Sequence, residues 1–208
     1  MTSTFKIGLI ISMATLLAVV VFSDNKQSLG LVPNGKRAVT PVPANLLALV
    51  PKPEGTNEIV KKRNADPIRH TVPLILKLSK RQKWQGKKLA AALTGKSLQE
   101  TVRNDYDFIF NHIQYQEDPE DVETIRSLRR LIYDGAGDCD CFTNALSNLL
   151  QNQNIAHKLK VTAPPGRSDW GHIYIIVPTG SGNYITLDPV VHEYDTEAPY
   201  SKSILFNV

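Results

Sequence analysis

The chain has 208 residues, 42% of them hydrophobic and 21% charged, which suits one ordinary domain with appendages and excludes general disorder. Its formal charge of +4 averages two opposite segments: residues 36–96 carry 14 Lys/Arg against 3 Asp/Glu, and residues 97–208 carry 8 against 16. The 2 cysteines, Cys139 and Cys141, stand one residue apart, so a framework of bridges between distant segments is excluded.

Residues 7–22 form an uncharged, mostly apolar run between Lys6 and Asp24. It is short against the roughly 20 residues of a full membrane span, although bilayer thinning accommodates shorter ones. Val21-Phe22-Ser23 is a poor cleavage site for a signal peptide, so residues 1–23 read as a single-pass membrane anchor in preference to a removed leader. Flanking charges do not set its orientation, and a cellular or a virion membrane would serve. Residues 24–72 hold Pro33, Pro41, Pro43, Pro51, Pro53 and Pro67, which predicts an extended tether in which the short apolar piece Leu46–Val50 could dock.

Residues 73–96 are a basic segment with Lys77, Lys80, Arg81, Lys83, Lys87 and Lys88 around Trp84. Such a run could contact phosphates of nucleic acid or anionic lipid. It could equally be a solvated helix face turned toward the acidic half of the same chain, and a charge run alone favours that plainer reading.

From Ser97 to Val208 the pattern is that of a folded domain. Ser97 and Glu100 make a capping box, and Leu98, Val102, Tyr106, Ile109 and Ile113 recur on one helical face. A second helix is expected over Val122–Leu131, then a glycine loop over Tyr133–Asp138. A third helix opens at Cys139 or Asp140, buries Phe142, Ala145, Leu146, Leu149 and Leu150, and fades at Asn152–Asn154. Strands are expected over Ala156–Thr162, His172–Val177 and Tyr184–Leu187. Helices first and strands later give an α+β class with an antiparallel sheet.

Cys139 follows a glycine loop and opens an apolar helix, where unpaired N–H groups and the helix dipole favour thiolate over thiol. Its pKa is therefore expected to fall below the free value. His172 is the best partner, because strand alternation puts it on one face with Tyr174 and Ile176. If Val177 pairs with Asn183 across a five-residue hairpin, Asp188 lies directly opposite His172, with Cβ atoms roughly 5 Å apart. A slip of one residue would move Asp188 to the other face.

Gly137-Asp138-Cys139-Asp140 with Phe142, Trp170-Gly171-His172-Ile173-Tyr174, and Leu187-Asp188-Pro189 together resemble the cysteine, histidine and aspartate segments of the transglutaminase-like superfamily, whose members occur in bacteria and bacteriophages. The resemblance covers about Ser97 to Tyr194. It implies a papain-like core of helices on an antiparallel sheet, with Cys139 as nucleophile, His172 as base and Asp188 orienting it. It also implies thiol acyl chemistry on a protein or peptide, by peptidases, amidases or cross-linking enzymes, with no cofactor. Cys141 stands where relatives often carry a polar residue and reads as a structural thiol. Two other readings stay open. One is a zinc site drawn from Cys139, Cys141, His157, His172 and His192. The other is a non-catalytic, membrane-anchored structural or virion assembly protein that keeps the fold. No loop has the regular oxygen spacing of a calcium site.

Overall fold

The computed structural model describes residues 37–55, 59–119 and 122–208. The expected anchor over residues 7–22 lies outside them, and no helix among the described residues is long and apolar enough to cross a membrane. In chain order the elements are α1 (Ala44–Leu47), β1 (Ile59–Arg63), a π-helical turn (Pro67–Thr71), α2 (Val72–Arg81), a 3-10 turn (Lys83–Gly86), α3 (Lys87–Leu93) and α4 (Leu98–His112). Then follow β2 (Gln114–Tyr115), β3 (Val122–Arg126), α5 (Leu128–Asp134), β4 (Ala136–Gly137), α6 (Cys139–Asn152) and the strands β5 (Lys158–Ala163), β6 (His172–Gly180), β7 (Asn183–Leu187) and β8 (Lys202–Asn207).

Helix α6 is the centre of the molecule. Its apolar residues Phe142, Ala145, Leu146, Leu149 and Leu150 are buried, and so are Asn144, Ser147 and Asn148 on its other sides. Those polar positions are tolerated because each finds a partner. Asn144, Asn148 and Asn152 recur every four residues and donate to the backbone carbonyls of Arg126 (2.8 Å), Gln82 (2.9 Å) and Lys83 (2.7 Å). The 3-10 turn comes so close that a Cβ on Gly86 would stand 2.3 Å from Asn148 Oδ1. One side of α6 thus packs by dispersion and the other docks by hydrogen bonds.

Four antiparallel strands in the order β7-β6-β5-β8 make the sheet. Ile173, Ile175, Val177, Ile185 and Leu187 point into the core shared with α6, and Thr143 Oγ1 donates to the Ile173 carbonyl at 3.1 Å. The opposite face is covered by residues 189–201. There the buried Lys160 Nζ meets Glu197 Oε1 at 2.8 Å, and the Tyr174 and Tyr184 hydroxyls donate to the same carboxylate. Such a pair offsets its desolvation only when the remaining lone pairs are satisfied, as they are here.

The expected helix α4 forms with its cap: Ser97 Oγ accepts from Glu100 N at 3.1 Å, and Glu100 reaches back to the Lys96 N–H at 2.7 Å. The helix expected over Val122–Leu131 does not form. Val122–Arg126 is strand β3, and a new helix starts after Ser127, whose hydroxyl accepts from Arg130 N. The β-branched Val122, Thr124 and Ile125 suit a strand, and the partner that decides the matter, β1, lies some sixty residues upstream, with Val60 paired to Ile125.

The tether is also revised over its described part. Residues 37–55 lie on the domain, with Val50 buried and Leu46 and Leu47 packed against the core, while Ile59–Arg63 is a sheet partner. Proline favours extended backbone, but extended backbone also suits a segment laid along a surface. Nor does the packing begin at Ser97. Val72, Ile75, Leu78, Leu89, Ala90 and Leu93 belong to the same core as α6, so the basic segment is two amphipathic helices of this domain. Ile75→Ala should therefore cost about 2–5 kcal/mol in the same cooperative transition that Leu146→Ala weakens. Urea unfolding followed by circular dichroism tests this; a separate early transition would mark an independent N-terminal unit.

Candidate active site

The approach to Cys139 is built by short-range constraints. Gly135 ends α5 in the left-handed region (φ 68°), a conformation that glycine adopts without Cβ strain. Strand β4 then pairs in parallel with β2, Tyr115 beside Gly137, and Gln116 N donates to the Gly137 carbonyl at 2.9 Å. A Cβ on Gly137 would stand 2.6 Å from Leu131 Cδ1 and 2.8 Å from Cys141 Cβ. Asp138 caps α6 by accepting from Cys141 N, which leaves Cys139 as its first residue.

The two thiols differ. Cys141 is fully buried; its Sγ donates to the Thr124 carbonyl at 3.1 Å and takes the Arg126 N–H at 3.4 Å. Burial and the Asp138 charge push it up to about 12, so it is a structural thiol. Cys139 is half-buried and lines the cleft beside His172 and Ile173. The expected lowering of its pKa is not what the site produces. Burial, then the charge of Asp138, push the thiol well above the ordinary value, against the Ile173 backbone, which lowers it. The carboxylate that caps the helix opposes the dipole it completes.

His172 and Asp188 are both buried, and Nε2 of the ring lies 2.6 Å from Asp188 Oδ2. Asp188 Oδ1 accepts from Val190 N at 3.2 Å, which fixes the carboxylate at the turn after β7. Their pairing uses a register two residues away from the expected one. Ile175 pairs with Leu187 and Val177 with Ile185, with a bulge between Pro178 and Gly180. Asp188 is therefore a diagonal neighbour of His172, not its direct opposite. A shift of two keeps the face, whereas a shift of one would have lost the contact.

With Nε2 held by Asp188, Nδ1 is the ring nitrogen left for the cleft. Cys139 and His172 line one hollow of about 310 Å³ together with Ala65, Thr71, Asp140 and Trp170. A second hollow of about 420 Å³ meets it at Cys139 and is bordered by Tyr115, Asp118, Glu123 and Asp138. Spacing along the chain signals none of Ala65, Thr71, Tyr115, Asp118 or Glu123 as site residues. They arrive from the proline-rich segment and from β2–β3.

Arg37 is a further residue that sequence gave no reason to single out. Its guanidinium lies 4.2 Å from the centre of the Phe110 ring, donates to the Ile113 carbonyl at 2.9 Å, and donates to the Pro189 carbonyl. It so bridges the end of α4 to the turn that carries Asp188.

Carboxylates crowd the cleft. Ligand oxygens of Asp118, Glu123 and Asp138 come within 4.8 Å of one another, as do those of Asp138 and Asp140 with the Cys141 sulfur. Burial and Asp138 raise Asp118 to about 6. The same causes raise Asp140 well above the carboxylate range, and its buried oxygens meet no N–H or hydroxyl donor but lie against the Asp138 and Glu123 carboxyls. The proposed zinc set does not come together among the described residues. His157 is held by Ser147 at 2.9 Å, His192 is exposed, and neither cluster contains a histidine.

No family model matches the chain, and no curated protein matches it. Among solved structures it is similar to a "putative protease" from Parabacteroides distasonis at 19% identity, over 57% of this chain and 26% of that one, with a TM-score of 0.46. Calcium-bound LapG from Legionella pneumophila is 22% identical over 65% of this chain and 83% of its own, with a TM-score of 0.47. A "putative cysteine protease" from Cytophaga hutchinsonii is 17% identical over 64% and 49%, with a TM-score of 0.41. The chain spans about a quarter of the first of these and about half of the third.

Proposed function

We propose that the chain is a cysteine peptidase or amidase in which Cys139, His172 and Asp188 act as nucleophile, base and orienting carboxylate. The observation that carries this reading is the buried His172–Asp188 pair, 2.6 Å apart, whose free ring edge shares a cleft with a cysteine at a helix N-terminus. Asp188 holds the tautomer with the proton on Nε2, so Nδ1 is the basic nitrogen. Because burial holds Cys139 as the thiol, the proton leaves for His172 as the sulfur attacks, and no standing ion pair is needed.

The attack forms the S–C bond and places the carbonyl electrons on oxygen. The N–H of Cys141 is taken by Asp138 Oδ1 and that of Phe142 by the Asp138 carbonyl, leaving those of Cys139 and Asp140 to receive the oxyanion. Collapse of this intermediate breaks the C–N bond, and the imidazolium returns its proton to the leaving amine. Water, deprotonated by His172, then releases the acid from the thioester. A lysine amine in place of water would give cross-linking by the same steps. Residues 7–22 would hold this enzyme at a bilayer.

Alkylation by iodoacetamide, mapped by mass spectrometry, tests the thiol–imidazole pair. Native protein should be modified at Cys139 and at Cys141 only after denaturation. His172→Ala should slow Cys139 labelling at neutral pH by at least about tenfold and move its rise to higher pH. Cleavage of a peptide library should vanish in Cys139→Ala and fall by about 10²–10⁴ in Asp188→Asn. Labelling that titrates as an ordinary thiol and ignores His172 would leave the non-catalytic scaffold as the better reading.

The acids beside the nucleophile favour a second property, a bound divalent cation. Asp118, Glu123 and Asp138, with Asp140 beside Asp138, offer hard ligands from the β2–β3 stretch and the start of α6. A cation there would neutralise the charges that keep Cys139 protonated. Protons compete for the same oxygens, so affinity should fall as pH drops through about 6, the value of Asp118. Without metal, the raised Asp118 contributes stability below its unfolded value and loses it as pH rises through about 6. Millimolar calcium added to EGTA-treated protein should raise Tm at pH 7.5 and do less at pH 5. An unchanged Tm and no binding heat would remove the cation from this account.

A further inference from the structure

The basic segment has a property that the fold itself exposes. Residues 67–96 contain 8 Lys/Arg and no Asp/Glu. The plainer expectation was that this charge meets the acidic half of the chain. Among the described residues, none of the ion pairs formed takes Lys77, Lys80, Arg81, Lys83, Lys87 or Lys88. The acids that could have answered them are used elsewhere: Asp134 by Arg126 and Arg130, Asp107 by Arg103, Glu197 by Lys160.

Lys77 and Arg81 border a hollow of about 550 Å³ between α2, the 3-10 turn and β1, together with Val60, Leu74, Trp84 and Arg129. None of its described lining residues is acidic. Trp84 is 55% exposed beside it, with the Arg129 guanidinium 5.0 Å from the indole centre. Aliphatic floor, cationic rim and an exposed indole match a ligand with a phosphate and an apolar body. Nucleic acid would ask for cations tracking a backbone and aromatic platforms in series, and this face offers a single indole over an apolar hollow.

The chain outside the described residues adds a second argument. The domain is engaged from Arg37 onward, through the Phe110 ring and the Ile113 and Pro189 carbonyls. Between the apolar run ending at residue 22 and that point lie only residues 23–36, whose greatest reach is about 50 Å. If residues 7–22 sit in a bilayer, as proposed above, a domain on so short a tether turns some face toward it, and screening length favours the one carrying Lys77, Lys80 and Arg81.

We propose that the α2 and 3-10-turn face, with Lys77, Arg81 and Trp84 at its centre, docks on an anionic phospholipid surface and so orients the domain on the membrane. The full-length protein is mixed with phosphatidylcholine vesicles with or without phosphatidylserine, some carrying brominated acyl chains. Trp84 fluorescence should shift to the blue and be quenched by the brominated chains when phosphatidylserine is present. High salt should reverse the effect, and Trp84→Phe should abolish it and leave only Trp170. Combined Lys77→Glu, Lys80→Glu and Arg81→Glu should weaken the phosphatidylserine-dependent component about 100-fold, while Cys139 labelling, which reports folding and the active site, stays as in wild type. A vesicle-bound protein whose Trp84 is neither shifted nor quenched would overturn the proposal. So would equal behaviour on neutral and anionic vesicles. If a DNA duplex shifts Trp84 and displaces the protein from anionic vesicles, the face is a nucleic-acid surface instead.

Discussion

Helix α6 is enclosed on its sides, and that enclosure organises everything else. Leucines and a phenylalanine bind it to the sheet, and three asparagines at four-residue spacing bind it to the backbone of the basic segment and β3. A helix surrounded in this way has no lateral surface left for chemistry. At its N-terminal end Cys139 is part-exposed and faces the cleft, while Asp140, Cys141 and Phe142 beside it are buried. The same enclosure explains why the cysteine two residues later is inert: one step into the helix, the thiol is already in the core and bonded to Thr124.

The electrostatics of the cleft run against the simplest account of a helix-start thiolate. Dipole and free N–H groups favour the anion, yet Asp138, which caps the helix, and burial favour the thiol, and they prevail. In the proposed enzyme, acid–base work would then fall more heavily on His172, whose Nε2 is held by Asp188 and whose Nδ1 is left for the cleft. Glu123 and Asp188 add to the same opposition, and Glu123 and Asp138 belong to the acidic cluster, which is the physical reason that a cation and the thiol's reactivity would be linked.

The segment before α4 changes meaning once it is folded. Prolines and lysines suggested a spacer and a charged run, but the described part supplies a strand for β3, two core helices, a wall of the cleft at Ala65 and Thr71, and the Arg37 bridge to the aspartate turn. Its apolar positions pack inward and its cations face out without partners. Residues 97–208 are therefore incomplete as a cut-out.

Local chemistry made several features legible from sequence. The capped helix α4, the helix opening at Cys139, the alternation of β6 and the shared face of His172 and Asp188 all follow from patterns within some twenty residues. Tertiary structure alone decided what depends on distant partners. Val122–Arg126 is a strand because β1 pairs with it, Cys139 stays protonated because Asp138 and burial act on one sulfur, and the acids of the cleft converge from separate segments. Even the hairpin register was settled by a bulge at Pro178–Gly180 that no spacing announces; the two-residue shift kept His172 and Asp188 on one face because side chains alternate with period two.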